Sequence, residues 1–326
     1  SQRVIVESGP PIGNGWGPMT TEAGVAASNH IMQTLGVSTI DELRAIRNAS
    51  IIQWCSPEGD DENFSGYFYD QGGVVPVDWT VEMLYERGEH VHVDAIVFGS
   101  NSKDGTQLYY QTVPLDDGSN GNYSYWMARR WGDDRAADVM REYPLHRYNQ
   151  SASSAYVQAD GDASVTCPLQ RLATIAAKRG VRVYMYSLQH YKDGIDVAGE
   201  LGYLDERNRN GWTSHGSELP FVWGTFEGPD LYDNHAIKVP FSDAERRLSR
   251  SMREYWTSFA KTGVPVDPNG TTWPTFDDAP IGASSKRRVL ILRSDAIEAR
   301  EGFRAEECTF WADRAADITP IRGDVR

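Results

Sequence analysis

Thr213-Ser-His-Gly-Ser-Glu-Leu-Pro-Phe-Val-Trp-Gly224 sets one histidine in a short polar loop and follows it with an apolar run. Gly216 lets the backbone turn sharply beside the His215 imidazole. The loop comes after a β-branched and aromatic stretch, 181–188, that reads as a buried strand. In open α/β sheets, reactive groups collect on loops beyond the carboxyl ends of strands, so His215 is a candidate catalytic base. A partner stands 111 residues earlier, where Ala95-Ile-Val-Phe-Gly-Ser-Asn-Ser-Lys-Asp-Gly-Thr106 reads as a strand running into a polar loop that carries Asp104. An acid after one strand and a histidine after a later one is the second half of the Ser…Asp/Glu…His order of nucleophile-elbow hydrolases. The first half is absent from these 326 residues, because no serine has glycines two positions before and two after it.

Around this pair the chain alternates short apolar strands with amphipathic helices, the pattern of a mixed α/β domain on a largely parallel sheet. Strands are predicted at 3–6, 95–98, 181–188 and 289–292. A helix is predicted over 167–179, with Leu169, Leu172, Ala173 and Ala176 on one face, Pro168 in its first turn and Gly180 as its stop. Ser242 and Glu245 have capping-box spacing, and Leu248, Met252, Tyr255, Trp256 and Phe259 follow at helical intervals before Gly263. Ser38-Thr-Ile-Asp41 opens another helix in a similar way, while 116–123 and 193–211 read as surface loops. No repeat and no domain boundary interrupts the pattern.

Composition narrows the function. The chain carries a net charge of −14 with 40% apolar residues, and its 10 Trp, 16 Tyr and 10 Phe supply ample surface for a packed core. That charge and the lack of a basic stripe argue against a nucleic-acid partner. No apolar run is long enough to span a bilayer. The other histidines offer less than His215. His90 and His92 would share a strand face without a third ligand, His30 sits in a helical segment, His146, His190 and His235 stand among ordinary polar neighbours, and Asp60-Asp-Glu62 reads as a solvated run before it reads as a calcium site. No metal or organic cofactor is called for. Five N-x-S/T acceptors, at Asn48, Asn63, Asn122, Asn149 and Asn269, exceed the roughly 1.6 expected from composition and favour a secreted or extracellular location. Of the three cysteines, Cys55, Cys167 and Cys308, an oxidising compartment would pair two and leave one free or joined to another chain.

The histidine loop resembles that of the type-B carboxylesterase family, which includes cholinesterases, secreted fungal lipases and juvenile-hormone esterases. Other stretches agree in order: Arg3-Val-Ile-Val-Glu-Ser-Gly9, Val97-Phe-Gly-Ser-Asn-Ser-Lys-Asp-Gly105, Tyr255-Trp-Thr-Ser-Phe-Ala-Lys-Thr-Gly-Val-Pro265 with Trp273-Pro, and Phe303-Arg-Ala-Glu-Glu-Cys-Thr-Phe-Trp311. The resemblance implies an α/β-hydrolase fold and hydrolysis of small-molecule carboxylic esters through a Ser-Asp-His triad. His215 would be the general base and Asp104 the orienting acid, an Asp where many relatives have Glu. Ser8 and Glu218 match residues that support the histidine by hydrogen bonds, and Cys167 and Cys308 match a disulfide pair. It also implies that residues 1–326 are the C-terminal portion of one such domain, with the nucleophile and oxyanion hole supplied by an N-terminal chain of the same precursor. Cys55 would then be unpaired or bonded to that chain. The competing expectations are a catalytically inactive adhesion or binding member and, more remotely, an acyltransferase.

Overall fold

A computed structural model describes residues 2–10, 18–19, 21–47, 67–68, 81–89, 92–106, 122–192, 211–225, 240–267, 273–277 and 286–313. Seven strands are present among them: β1 (Arg3–Glu7), β2 (Pro18–Met19), β3 (Tyr67–Phe68), β4 (Ala95–Asn101), β5 (Arg182–Leu188), β6 (Val289–Leu292) and β7 (Ile297–Arg300). The main sheet has the order β1-β4-β5-β6-β7, parallel except for the antiparallel β6–β7 pair, and β2 and β3 form a separate parallel ribbon. The four strands read from the sequence are β1, β4, β5 and β6. β7 escaped that reading because it is a polar edge whose residues 298–300 are exposed.

Among the described residues, ten α-helices accompany the strands: α1 (Thr21–Thr34), α2 (Ile40–Ala45), α3 (Val81–Arg87), α4 (Tyr123–Trp131), α5 (Asp133–Glu142), α6 (Ala152–Gly161), α7 (Cys167–Lys178), α8 (Leu219–Trp223), α9 (Asp243–Thr262) and α10 (Ala305–Asp313). Strand periodicity divides the core between two faces. Val97, Tyr184, Tyr186 and Leu188 point to the α9 side, where they meet Leu248, Met252, Tyr255, Phe259 and Trp273. Ile96, Phe98, Val183 and Met185 point to the α7 side and meet Leu169, Leu172, Ala173 and Ala176. A third cluster, with Trp126, Trp131, Tyr143, Tyr156 and Trp311 at its centre, joins α4, α5, α6 and α10.

The anticipated capping box of α9 is present. Glu245 N–H donates to Ser242 Oγ at 3.3 Å and Ser242 N–H donates to Glu245 Oε2 at 2.7 Å. At the other end Gly263 adopts a left-handed φ of 77°, and the Arg3 guanidinium donates to the carbonyls of Ala260 and Lys261, so β1 helps close the helix. For α2 the expected box is displaced by one residue: Thr39 is the cap and Glu42 reaches back to it. The aspartate at position 41 is too short for that reach and pairs with Arg44 instead.

Tyr123 corrects the predicted 116–123 loop, since it opens α4 and is buried; residues 116–121 lie outside the described residues. Helix α6 left no amphipathic signal because it is buried nearly all round, including Ala152, Ser153, Ala155, Tyr156, Val157, Ala159 and Asp160. Most of the other predicted loop, 193–210, is outside the described residues, and Gly211 sits in an exposed turn. Cys167, the first residue of α7, is bonded to Cys308 in α10. No helix among the described residues is long and apolar enough to cross a membrane.

Candidate active site

Asp104 and His215 come together beyond the carboxyl ends of β4 and β5. The acid loop leaves β4 with Ser102 N–H donating to Leu188 O at 2.9 Å, and Lys103 N–H then donates to Thr213 O at 3.0 Å. This pairing lays the acid loop alongside the histidine loop. Thr106 Oγ1 donates to Lys103 O at 2.9 Å and accepts the His215 N–H at 3.0 Å, fixing the histidine backbone against the acid loop. Gly216 has the left-handed φ of 79° that its place beside His215 led one to expect. Gly105 serves a different end: a Cβ there would lie 2.2 Å from Val157 O and 2.6 Å from Gly161 N, so only glycine lets the loop rest directly on α6.

His215 Nδ1 stands 3.0 Å from Asp104 Oδ1. Asp104 is only 2% exposed, and three further hydrogen bonds hold its carboxylate. Ser8 Oγ donates to Oδ2 at 3.0 Å, Asn101 N–H donates to Oδ2 at 2.7 Å, and Asn101 Nδ2 donates to Oδ1 at 3.3 Å. Ser8 achieves this from a left-handed φ of 48° directly after β1, with its own N–H bonded to Gly99 O at 2.8 Å. A buried carboxylate surrounded by donors in this way is held in one orientation.

Glu218, three residues beyond His215, is buried as well and accepts the second Asn101 amide N–H. Burial first and the neighbouring Asp104 charge second push its carboxyl up to about 7. The folded protein therefore holds this proton up to about pH 7, whereas the ordinary carboxyl releases it near 4.5, so folding stability falls as pH rises through that interval. Glu218→Gln keeps the acceptor and removes the charge. It is expected to shrink the fall in thermal midpoint between pH 5 and pH 8, measured by calorimetry; an unchanged pH dependence contradicts this account of Glu218.

Three residues of the site carried no sequence signal of their own. Asn101 acts from the last position of β4 and Thr106 from the loop after it, and no periodicity reveals what either side chain touches. Lys103 is half-buried beside the acid, donating to Gln158 Oε1 at 2.9 Å and lying 5.4 Å from the Tyr148 ring centre; desolvation lowers its ammonium to about 8. It ties the acid loop to α6.

The other described histidines stay apart from this centre. His190 Nε2 pairs with Glu245 Oε1 at 3.0 Å, exposed His92 with Asp94 at 2.8 Å, and exposed His30 with Thr34 at 3.5 Å, while His146 is exposed in a 3-10 turn. Asn122 and Asn149 are exposed. Asn48, Asn63, Asn269, Cys55, His90, His235 and Asp60-Asp-Glu62 lie outside the described residues.

The carboxylesterase family model matches residues 3–311, taking in both loops and the strands that carry them. The chain belongs to the carboxylesterase family. An acetylcholinesterase of Bungarus fasciatus is 30% identical over 153 residues, a match covering 46% of this chain and 21% of that protein. A solved PNB esterase aligns with 95% of this chain at a TM-score of 0.63 and 19% identity, and a thermophilic PNB esterase does so at 0.64 and 20%. These likenesses establish the α/β-hydrolase fold. This carboxylesterase-family chain spans 57% of the length of each of the two solved esterases.

Proposed function

We propose that this chain contributes the acid and base of a carboxylic-ester hydrolase working through a Ser-Asp-His triad and an acyl-enzyme. The observation that carries the proposal is the 3.0 Å contact of His215 Nδ1 with a buried Asp104 carboxylate held by donors from β1 and β4. With Nδ1–H given to Asp104, the basic lone pair of the imidazole is on Nε2. His215 Nε2 takes the proton of a serine Oγ as that oxygen bonds to the ester carbonyl carbon, and Asp104 stabilises the resulting imidazolium. The tetrahedral intermediate expels the alkoxide, which receives the proton back from His215. Water then repeats the sequence on the acyl group, releasing the carboxylic acid and regenerating serine.

The serine and oxyanion donors come from a polypeptide segment outside these 326 residues, since no G-x-S-x-G turn is found in them. β1 supports this placement: it is an edge of the main sheet with one partner, β4, among the described residues, and its outer side offers parallel-strand hydrogen bonds to a further strand. Residues 1–326 are on this reading the C-terminal portion of one hydrolase domain, completed by an N-terminal portion of the same precursor. The Cys167–Cys308 bridge and the five sequons support a secretory route with N-glycosylation. The substrate is a small carboxylic ester.

Rapid mixing of the complete protein with a chromogenic ester tests the chemistry. A burst of alcohol stoichiometric with protein, followed by slower turnover, is the expected result. Absence of both burst and turnover from folded, complete protein would contradict it and favour a binding member of the family.

A further inference from the structure

Two buried carboxylates lie near the His215 imidazole, and only one can be its partner. Asp104 Oδ1 meets Nδ1 at 3.0 Å, while Glu218 is three residues away in the same loop and close enough to feel both the imidazole and Asp104. One side chain lies between the carboxylates. Asn101 Nδ2 has two hydrogens and donates one to Asp104 Oδ1 and the other to Glu218 Oε2, while its backbone N–H holds Asp104 Oδ2. We propose that Asn101 is a positioning residue for the site, its single amide fixing which of the two carboxylates faces His215.

The geometry favours this role over plain packing. Asn101 is 1% exposed, and its own Oδ1 is buried without a hydrogen-bond partner among the described residues. A buried carbonyl oxygen left unbonded is unfavourable, so the orientation sacrifices the oxygen to place both N–H donors on carboxylates. The flipped amide would set its oxygen against Asp104 Oδ1, which accepts here, and is disfavoured by that repulsion. Asn101 is the last residue of β4, so its donors are carried by a central strand of the sheet and not by either loop. The other titratable groups that feel the pair are His215 and the Tyr186 phenol on β5. Neither of these replaces an amide that donates to both carboxylates.

The proposal rests on the hydrolase reading for its kinetic arm only. Asn101→Leu keeps the volume and removes the donors, and Asn101→Ala serves if the leucine variant folds poorly; both retain the backbone N–H. In the complete protein, each is expected to lower kcat about 10- to 100-fold with KM within about twofold, because a misplaced imidazole costs chemistry and not substrate binding. The diagnostic measurement is the same substitution in a Glu218→Gln background, where no second carboxylate competes: there the loss should be under about threefold. Equal losses in both backgrounds would overturn the proposal. The titration of the His215 ring protons, followed by NMR, needs no turnover. A lowered midpoint in Asn101→Ala supports the assignment, and an unmoved midpoint with a lowered thermal midpoint reduces Asn101 to a packing residue. Wild-type protein that titrates as expected yet hydrolyses nothing would count against the hydrolase reading and leave the role of Asn101 standing.

Discussion

Asp104→Asn is expected to lower kcat for ester hydrolysis by about 10⁴-fold in the complete protein while leaving the fold intact. The magnitude follows from what the carboxylate does here. It receives Ser8 Oγ, the Asn101 backbone N–H, the Asn101 amide and His215 Nδ1, all at 3.3 Å or less. Asparagine offers one acceptor oxygen and one NH₂ in the same shape. With its oxygen turned to the fixed Asn101 N–H, its NH₂ faces the imidazole, which must then present an unprotonated Nδ1 and carry its proton on Nε2. That tautomer cannot accept the serine proton. The negative charge that stabilises the imidazolium is lost as well. Steady-state kinetics with a small aryl ester, alongside circular dichroism, checks both parts; a loss below about tenfold would show that Asp104 is not the orienting acid.

The second large effect concerns stability. Replacing Cys167 and Cys308 together by serine opens a crosslink between residues 141 apart, for which the chain-entropy model gives about 4–5 kcal/mol. Strain or residual structure in the unfolded chain reduces this, so about 2–5 kcal/mol is expected from denaturant titration. The loss should be concentrated in α10. That helix has other ties, including the buried Trp311, whose Nε1 donates to Tyr143 Oη at 2.7 Å, and the Arg304 pairs with Asp162 and with Glu307 at 3.1 Å. The helix should therefore remain docked at low denaturant and exchange its amide hydrogens faster. A denaturation midpoint unchanged from wild type would contradict the stabilising role given to the bridge.

What the sequence revealed, and what it hid, divides along a physical line. Strands β4, β5 and β6 were legible because burial on both faces forces continuous apolar runs, and α9 because one apolar face and a Ser–Glu cap mark its course. Helix α6 was hidden because a helix buried all round has no polar face to set the period. The site behaved in the same way. His215 and Asp104 stood out as reactive types on loops after strands, but the bond between them, 111 residues apart in the chain, is a product of sheet order and of the Lys103–Thr213 pairing. Asn101 and Thr106 could not be singled out, because the fold alone decides what an ordinary amide at a strand end or a hydroxyl in a turn will touch.

The central claim, that His215 and Asp104 activate a serine supplied from outside these 326 residues, is tested most directly by covalent labelling with an organophosphonate. Complete wild-type protein should take up one equivalent, and peptide mapping should place the adduct on the serine of a G-x-S-x-G turn outside this chain, with His215→Ala abolishing the uptake. No labelling of the folded, complete protein, or labelling that persists undiminished in His215→Ala, would contradict it.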